Sequence, residues 1–210
     1  MTFKEKIGRS QELIREYLDK YPNSPTAISW GKDSLVLLDL VYRVNPKAKF
    51  FGVLSNTEFS EVLKLRDYVC KKYNLNYEEV VYQNPPDVKM EDCCRTRKVE
   101  AFKGFLKNYD CWFSGIRRDE GTTRTDFQEV EVRGGLTKVN PIVCFTITDI
   151  YRYLWSNEVP VNPLYLDYKS LSCSNCSTPE MDENESERAG RWKGTNCAGG
   201  ECGIHSQTLK

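Results

Sequence analysis

Apolar positions recur along this chain with two different periods, and the switching between them predicts its architecture. Phe3, Ile7, Ile14, Tyr17, Leu18 and Tyr21 share one face at helical spacing, with charged residues elsewhere. Pro22 and Pro25 stop the run, so an amphipathic helix opens the chain. TAIS (Thr26 to Ser29) then reads as a short strand, WGKDS as a tight loop, and the apolar-rich stretch Ser34 to Val44, ending before Pro46, as a helix. The alternation continues with a buried strand at Lys49 to Ser55, a helix at Ser60 to Tyr73, a strand at Asn76 to Tyr82, a helix at Asp92 to Tyr109 and the strand-like DCWFSG (Asp110 to Gly115). Strands and helices alternating at these lengths predict an α/β fold, doubly wound, with a mainly parallel sheet covered by helices on both faces.

After Gly115 the pattern changes. Phe127 to Ile142 alternates and turns at Gly134-Gly135, which predicts a hairpin or edge feature, and Thr146 to Glu158 reads as a helix. From Val159 onward Pro, Asn, Ser, Gly and Cys dominate and no regular period survives. The chain shows no internal repeat and no low-complexity linker. The expectation is therefore a single domain over 1–210: an α/β core to about residue 160, then a cysteine-rich irregular region and tail.

Composition narrows the function classes. With 210 residues, 40% hydrophobic content and four Trp there is ample material for a core. Lys+Arg and Asp+Glu stand at 30 each, so the basic surface of a non-specific nucleic-acid binder is missing and no nucleic-acid partner is expected. The N-terminus is charged throughout, and the longest apolar run, near Leu35 to Val41, is broken by Asp39. No export signal or membrane span is expected, and the protein reads as cytoplasmic. In that setting nine cysteines are reduced thiols, metal ligands or redox groups rather than a disulfide framework.

Four stretches carry candidate chemistry. SWGKDS (Ser29 to Ser34) sits between a strand and a helix, where small residues let backbone N–H groups approach a phosphate and Lys32 adds a cation; it lacks the Walker pattern, and a plain tight turn with Asp33 as helix N-cap is the competing reading. GIRRDEGTTR (Gly115 to Arg124) gathers three arginines whose forks suit phosphate or sulfate, or else pair with Asp119 and Glu120 as a solvated loop. Cys93-Cys94 and Cys173-x-x-Cys176 offer four thiolates, a count that fits zinc or an iron–sulfur cluster, and the adjacent pair favours a cluster. Last, the glycine-rich tail holds Cys197, Cys202 and the sole histidine, His205, downstream of the arginines of ERAGRW (Glu187 to Trp192), which would lower a thiol pKa or hold an anion.

In that order, SWGKDS, CCRTRKVEAF, GIRRDEGTTR, KVNPI, NPLY, CSNC, ERAGRW and ECGIH make the chain resemble the sulfonucleotide reductases, the adenylyl-sulfate and phosphoadenylyl-sulfate reductases, over about Ile28 to His205. These belong to the wider pyrophosphatase-loop group of adenine-nucleotide enzymes. The resemblance implies a [4Fe-4S] cluster on Cys93, Cys94, Cys173 and Cys176 with Lys98 tuning its electrostatics. It implies Cys202 as the nucleophile on a mobile tail. It places Arg117, Arg118, Arg124, Arg188, Arg191 and His205 around the nucleotide and sulfate, with Ser29, Gly31, Lys32, Asp33 and Ser34 along the nucleotide. The implied reaction passes through S-sulfocysteine and draws on thioredoxin or a glutaredoxin-like thiol; a homo-oligomer is compatible with it.

Three alternatives remain open at the level of sequence. Phosphoadenylyl sulfate is the close rival substrate. The Lys-Asp-Ser look of SWGKDS also fits an ATP-dependent sulfur transferase, and the cysteines fit a metal-binding module without turnover.

Overall fold

In the computed structural model the described residues are 1–84, 94–195, 198–200 and 203–205, with the backbone alone at 94 and 95. Helix α1 (Phe3–Lys20) begins at a reciprocal capping box: Thr2 accepts from the Glu5 N–H while the Glu5 carboxylate accepts from the Thr2 N–H. Its apolar stripe buries Leu13, Ile14 and Leu18. Three polar ties then fix it to the far end of the core: Lys6 to Asp149 at 2.5 Å, Arg9 to Glu129 at 2.7 Å, and the Ser10 hydroxyl donating to the Pro141 carbonyl at 2.6 Å.

The chain proceeds through β1 (Thr26–Ala27), α2 (Lys32–Val44), β2 (Lys49–Ser55), α3 (Ser60–Tyr73), β3 (Asn76–Tyr82), a turn of π-helix (Cys94–Lys98), α4 (Val99–Leu106), β4 (Cys111–Phe113), β5 (Val130–Arg133), β6 (Leu136–Val139) and α5 (Ile147–Ser156). Among the described residues these strands form one six-stranded sheet in the order β3-β2-β1-β4-β6-β5. All neighbours pair parallel except β5 with β6, an antiparallel hairpin whose Gly134 and Gly135 take φ of 58° and 76°, the left-handed region a two-residue hairpin turn demands. The α/β, mainly parallel expectation is met.

Period-two alternation distributes the core over both faces of the sheet. Phe50 and Leu54 of β2 and Phe113 of β4 join residues of α1, α2, α3 and α5 on one face. Phe51 and Val53 of β2, Trp112 of β4 and Leu136 of β6 pack with Val99, Phe102 and Leu106 of α4 on the other. Fully burying each such side chain contributes roughly 1.5–3 kcal/mol. The sheet order reverses at β1, which has β2 on one side and β4 on the other, and the crevice beyond the strand C-termini at such a reversal is where open α/β sheets bind ligands.

Two local expectations are corrected. Helix α2 begins at Lys32 with Gly31 at the N-cap position and no side-chain cap, so Asp33 lies inside the first turn and is not the N-cap. The helix expected over Asp92 to Tyr109 starts as a π-turn, becomes α-helical only at Val99 and stops at Leu106. Its first two residues, 92 and 93, lie outside the described residues. Beyond α5 the described chain holds short 3-10 turns at Pro163–Leu166 and Ser174–Cys176 and isolated bridges joining Tyr168 to Glu180 and Ser177 to Arg191.

Candidate active site

A cleft opens beyond the C-terminal ends of β1, β2 and β4, where the sheet order reverses. Ser29, Gly31, Asp33 and Ser34 form one side of it, and Lys98, Arg124, Arg188, Arg191 and His205 the other. Lys32, Arg117 and Arg118 do not line it.

The loop side is built around strain and buried charge. Trp30 adopts φ 60°, costly for a bulky residue, and is held there by complete burial and by an indole N–H donated to the Tyr77 hydroxyl at 3.3 Å. That turn starts α2 with its backbone N–H groups at the cleft. Ser34 bridges the turn: its hydroxyl donates to the Gly31 carbonyl at 2.9 Å and accepts from the Ser29 N–H at 3.3 Å. The Tyr165 hydroxyl of NPLY accepts the Lys32 N–H at 3.0 Å.

Behind the loop, Lys32 and Arg117 are buried among carboxylates. Lys32 Nζ lies 2.6 Å from Glu187 and 3.2 Å from Asp33. Arg117 sets Nε 2.5 Å from Asp33 and Nη2 2.7 and 2.8 Å from the two Glu187 oxygens. Burial opposes each charge, but the facing partners outweigh it: the Lys32 and Arg117 pKa values are raised and that of Asp33 is lowered. Arg117 Nη1 also lies 3.4 Å from Asp119, and carboxylate oxygens of Asp33, Glu120 and Glu187 lie within 4.8 Å of one another, so Lys32 and Arg117 are fully engaged by carboxylates. Arg118 points elsewhere, donating to the Phe127 carbonyl at 2.6 Å and to Cys144 Sγ at 3.5 Å.

The opposite side gathers one lysine and three arginines. Arg124 pairs with Glu120, and Arg188 approaches the same carboxylate at 4.0 Å. Burial raises the Glu120 pKa, as it raises that of Glu58. Arg191 donates to the Leu171 carbonyl at 2.9 Å and stacks on Trp192, leaving its buried Nε with no partner among the described residues. Lys98, Arg124, Arg188 and Arg191 line the cleft together with Asp33, Glu58 and Glu120. His205 sits among them with its pKa well below the usual value, first through burial and then through Lys138, Arg124, Arg188 and Lys98.

ERAGRW reaches this wall by pairing with the segment after CSNC. The Thr178 N–H donates to the Gly190 carbonyl at 2.9 Å and the Trp192 N–H to that of Cys176 at 3.1 Å. A Cβ at Gly190 would stand 2.4 Å from the Thr178 carbonyl oxygen, so only glycine allows this approach. The same pairing brings the arginines beside Cys173 and Cys176, both buried, which open and close one 3-10 turn. Asn84 Nδ2 lies 3.9 Å from Cys173 Sγ and also donates to Ser55 and Thr57, tying the thiol to the loop after β2. Two buried thiols three positions apart with a polar donor beside one suit a thiolate-bound metal centre, so the described half of the cysteine set fits such a group. Cys93, Cys197 and Cys202 lie outside the described residues.

Two carboxylates at the cleft, Glu58 and Glu187, were not among the expected site residues, while Glu120 was expected only as an ion-pair partner of the loop arginines, the role it takes with Arg124. Glu187 had a signal, since it opens the ERAGRW motif, but its partners Lys32 and Arg117 lie 155 and 70 positions away. Asparagine 84 had none.

Comparison with known proteins agrees with this geometry. Residues 24–179 match the phosphoadenosine phosphosulfate reductase domain. The adenosine 5'-phosphosulfate reductase of Halalkalibacterium halodurans is 33% identical, with 85% of this chain and 83% of that protein covered. The phosphoadenosine 5'-phosphosulfate reductase of Gloeobacter violaceus is 31% identical over 93% of this chain and 86% of its own length. Among solved structures, the phosphoadenylyl-sulfate reductase of Candida auris, a phosphate complex, shares the fold with TM-score 0.66 at 21% identity, covering 80% of this chain and 90% of that one. A strand-loop-helix at the sheet's reversal point, an arginine wall on the facing segment and these matches together lead to one conclusion: the chain belongs to the phosphoadenosine phosphosulfate reductase family.

Proposed function

We propose that this protein reduces adenylyl sulfate to sulfite and AMP, with Cys202 as nucleophile and a thioredoxin-like dithiol as reductant, in sulfate assimilation. The observation that carries the reading is the set of four cations, Lys98, Arg124, Arg188 and Arg191, that lines the cleft. The phosphosulfate of adenylyl sulfate carries about two negative charges, which such a set of cations suits. The relatives named adenosine 5'-phosphosulfate reductase support the choice of adenylyl sulfate.

The chemistry divides into two transfers. In the first, the Cys202 thiolate forms a bond to the sulfate sulfur while the S–O bond to phosphate breaks, and the electron pair departs on the phosphate oxygen of AMP. S-sulfocysteine remains. Arg124, Arg188 and Arg191 would neutralise the charge growing on that oxygen, the kind of fixed electrostatic help that contributes most in a closed site. In the second transfer a thiolate of the partner attacks the cysteine sulfur and sulfite leaves with the S–S electron pair. The partner's second thiol resolves the mixed disulfide, so the partner is oxidised by two electrons and Cys202 returns as thiolate.

On this reading Cys93, Cys94, Cys173 and Cys176 would hold a [4Fe-4S] cluster, with Asn84 and Lys98 beside it. When bound, the group would supply a fixed anchor and a local field at the arginine wall; neither transfer passes through it. The loop Ser29 to Ser34 would carry the nucleotide on its backbone N–H groups, and Lys32 and Arg117 would hold the loop's shape rather than touch the anion.

The test is incubation with adenylyl sulfate or phosphoadenylyl sulfate without reductant, followed by intact-mass measurement. Wild type should gain one sulfite-sized adduct faster from adenylyl sulfate, and Cys202→Ser should gain none. An adduct-free wild type would end the reading, and a faster adduct from the phosphorylated nucleotide would reverse the substrate choice.

A further inference from the structure

Two serines line the cleft with buried hydroxyls that have no partner among the described residues, Ser114 and Ser172. Ser172 is half-buried, on the segment that leads into CSNC. Ser114 lies deeper, 1% exposed, and follows the last residue of β4. Its backbone is fixed by an N–H donated to the Val139 carbonyl at 2.9 Å, while its side chain ends at the cleft. Leaving a buried hydroxyl unpaired costs stability, so a native structure that keeps one has a use for it.

The place of this hydroxyl indicates what it meets. Gly115, next in the chain, packs on the first turn of α2, where a Cβ would stand 3.3 Å from Ser34 Cα and 3.4 Å from Ser34 N. Ser114 is thereby set beside the start of a 13-residue helix, whose leading N–H groups and dipole favour an anion. The other donors there are partly engaged already. The Lys32 N–H goes to the Tyr165 hydroxyl at 3.0 Å, the Ser34 hydroxyl to the Gly31 carbonyl at 2.9 Å, and the Ser29 hydroxyl lies 3.4 Å from that of Ser34. Arg124, on the same connection between β4 and β5, lines the facing wall. An anion held between that wall and α2 has in Ser114 a neutral donor whose proton no described acceptor takes. We propose that Ser114 is a substrate-binding residue: its hydroxyl donates to an oxygen of the nucleotide's 5′-phosphate, the group that departs as AMP. The inference rests on the reaction proposed above for the identity of the ligand.

An unpaired hydroxyl weakens the free protein and strengthens the complex, so removing it should move the two in opposite directions. The experiment compares full-length wild type and Ser114→Ala by calorimetric titration with AMP, by competition of adenosine against AMP, and by thermal unfolding without ligand. A hydrogen bond to a charged group is strong enough that the Kd for AMP should rise roughly tenfold or more in Ser114→Ala. Adenosine, which has no phosphate, should compete within about twofold of its wild-type strength, and the free variant should unfold at or above the wild-type temperature. An equal loss for adenosine moves the contact to the nucleoside and overturns the phosphate assignment. An unchanged Kd for AMP overturns the inference, as does a lower unfolding temperature of the free variant, which would show the hydroxyl to be paired within the protein. A wild type that binds no AMP ends both this inference and the reaction. A wild type that binds AMP through Ser114 yet gains no adduct from adenylyl sulfate sinks the reaction alone and leaves Ser114 as a nucleotide-phosphate contact.

Discussion

The two sides of the cleft carry the same residue types and do different work with them. On the loop side Lys32 and Arg117 are buried against Asp33 and Glu187 at 2.5 to 3.2 Å, and every charge has an opposite at hydrogen-bond distance. On the facing wall Arg124 and Arg188 share Glu120, and Arg191 donates to the Leu171 carbonyl and keeps a buried Nε without a partner among the described residues. A cation held by carboxylates shapes the site; one held by a backbone carbonyl can take an anion without breaking an ion pair. Basic residues near a candidate phosphate loop therefore cannot be assigned by count, only by what already neutralises them.

The largest expected effect comes from breaking the compensated side. Arg117→Met would leave Asp33 and Glu187 facing Lys32 alone, and removing one partner from a buried ion cluster costs about 3–5 kcal/mol. For a chain of this size that corresponds to a fall in Tm on the order of 10 °C. Thermal unfolding of the purified variant checks it. A Tm within a degree or two of wild type would mean that Arg117 is not held by these carboxylates in solution, and that it is available to the substrate after all.

How far the sequence reached follows the same division between local and distant causes. The βαβ alternation was legible because strand and helix periods are set by neighbouring residues, and the hairpin turn because Gly-Gly supplies its own backbone conformation. The helical pattern over Asp92 to Tyr109 runs past the helix end at Leu106 because Lys107 and Asn108 do not break it. The cleft loop was legible as a strand-to-helix loop. The sorting of the arginines was not: Arg117 and Arg118 are neighbours in the chain, yet one faces Glu187, 70 positions on, and the other the Phe127 carbonyl. The burial of Ile204 was invisible for a related reason, since a lone apolar residue has no period and the cluster it joins is assembled from β2, β4, β6 and α4.

The facing wall should respond in binding before stability, and Arg191 is the residue that shows it. Arg191 donates to the Leu171 carbonyl and keeps a buried Nε without a partner among the described residues, so its guanidinium can take an anion without first giving up a carboxylate. A hydrogen bond to a charged group contributes about 1.5–3 kcal/mol, so Arg191→Gln should raise KM for adenylyl sulfate by roughly 10- to 100-fold. Arg118→Gln is the matched control: its side chain donates to the Phe127 carbonyl and Cys144 outside the cleft, and its KM should stay within about twofold of wild type. Steady-state kinetics on the pair decides the matter. Equal KM changes in both would show that the division between the two sides does not govern binding.

The smallest effect lies in pH. His205 sits in the tail, docked with its ring against Trp112 and Phe127 and its pKa pushed well down by burial, and further by Lys138, Arg124, Arg188 and Lys98, while the nearby Glu131 is already paired with Lys138 at 3.1 Å and with Arg133 at 2.9 Å. Lys138 is itself lowered to about 8, chiefly by its own burial. An imidazole in an undocked tail has a pKa near 6.5. The docked state binds fewer protons at that site, so docking is strongest above pH ~6.5 and weakens as pH falls below it, by up to about 1.4 kcal/mol per pH unit. Amide exchange of peptides covering 198–205, corrected for the intrinsic rate, should therefore lose up to tenfold protection between pH 6.5 and 5.5, both values set by that same ~6.5 pKa. His205→Gln should flatten the profile, because the glutamine has no proton to gain. A wild-type profile as flat as the variant's would mean that the ring is not buried among these cations when the tail is docked, and that docking rests on Ile204 and on the carbonyl contacts of Arg188 and Arg133 alone.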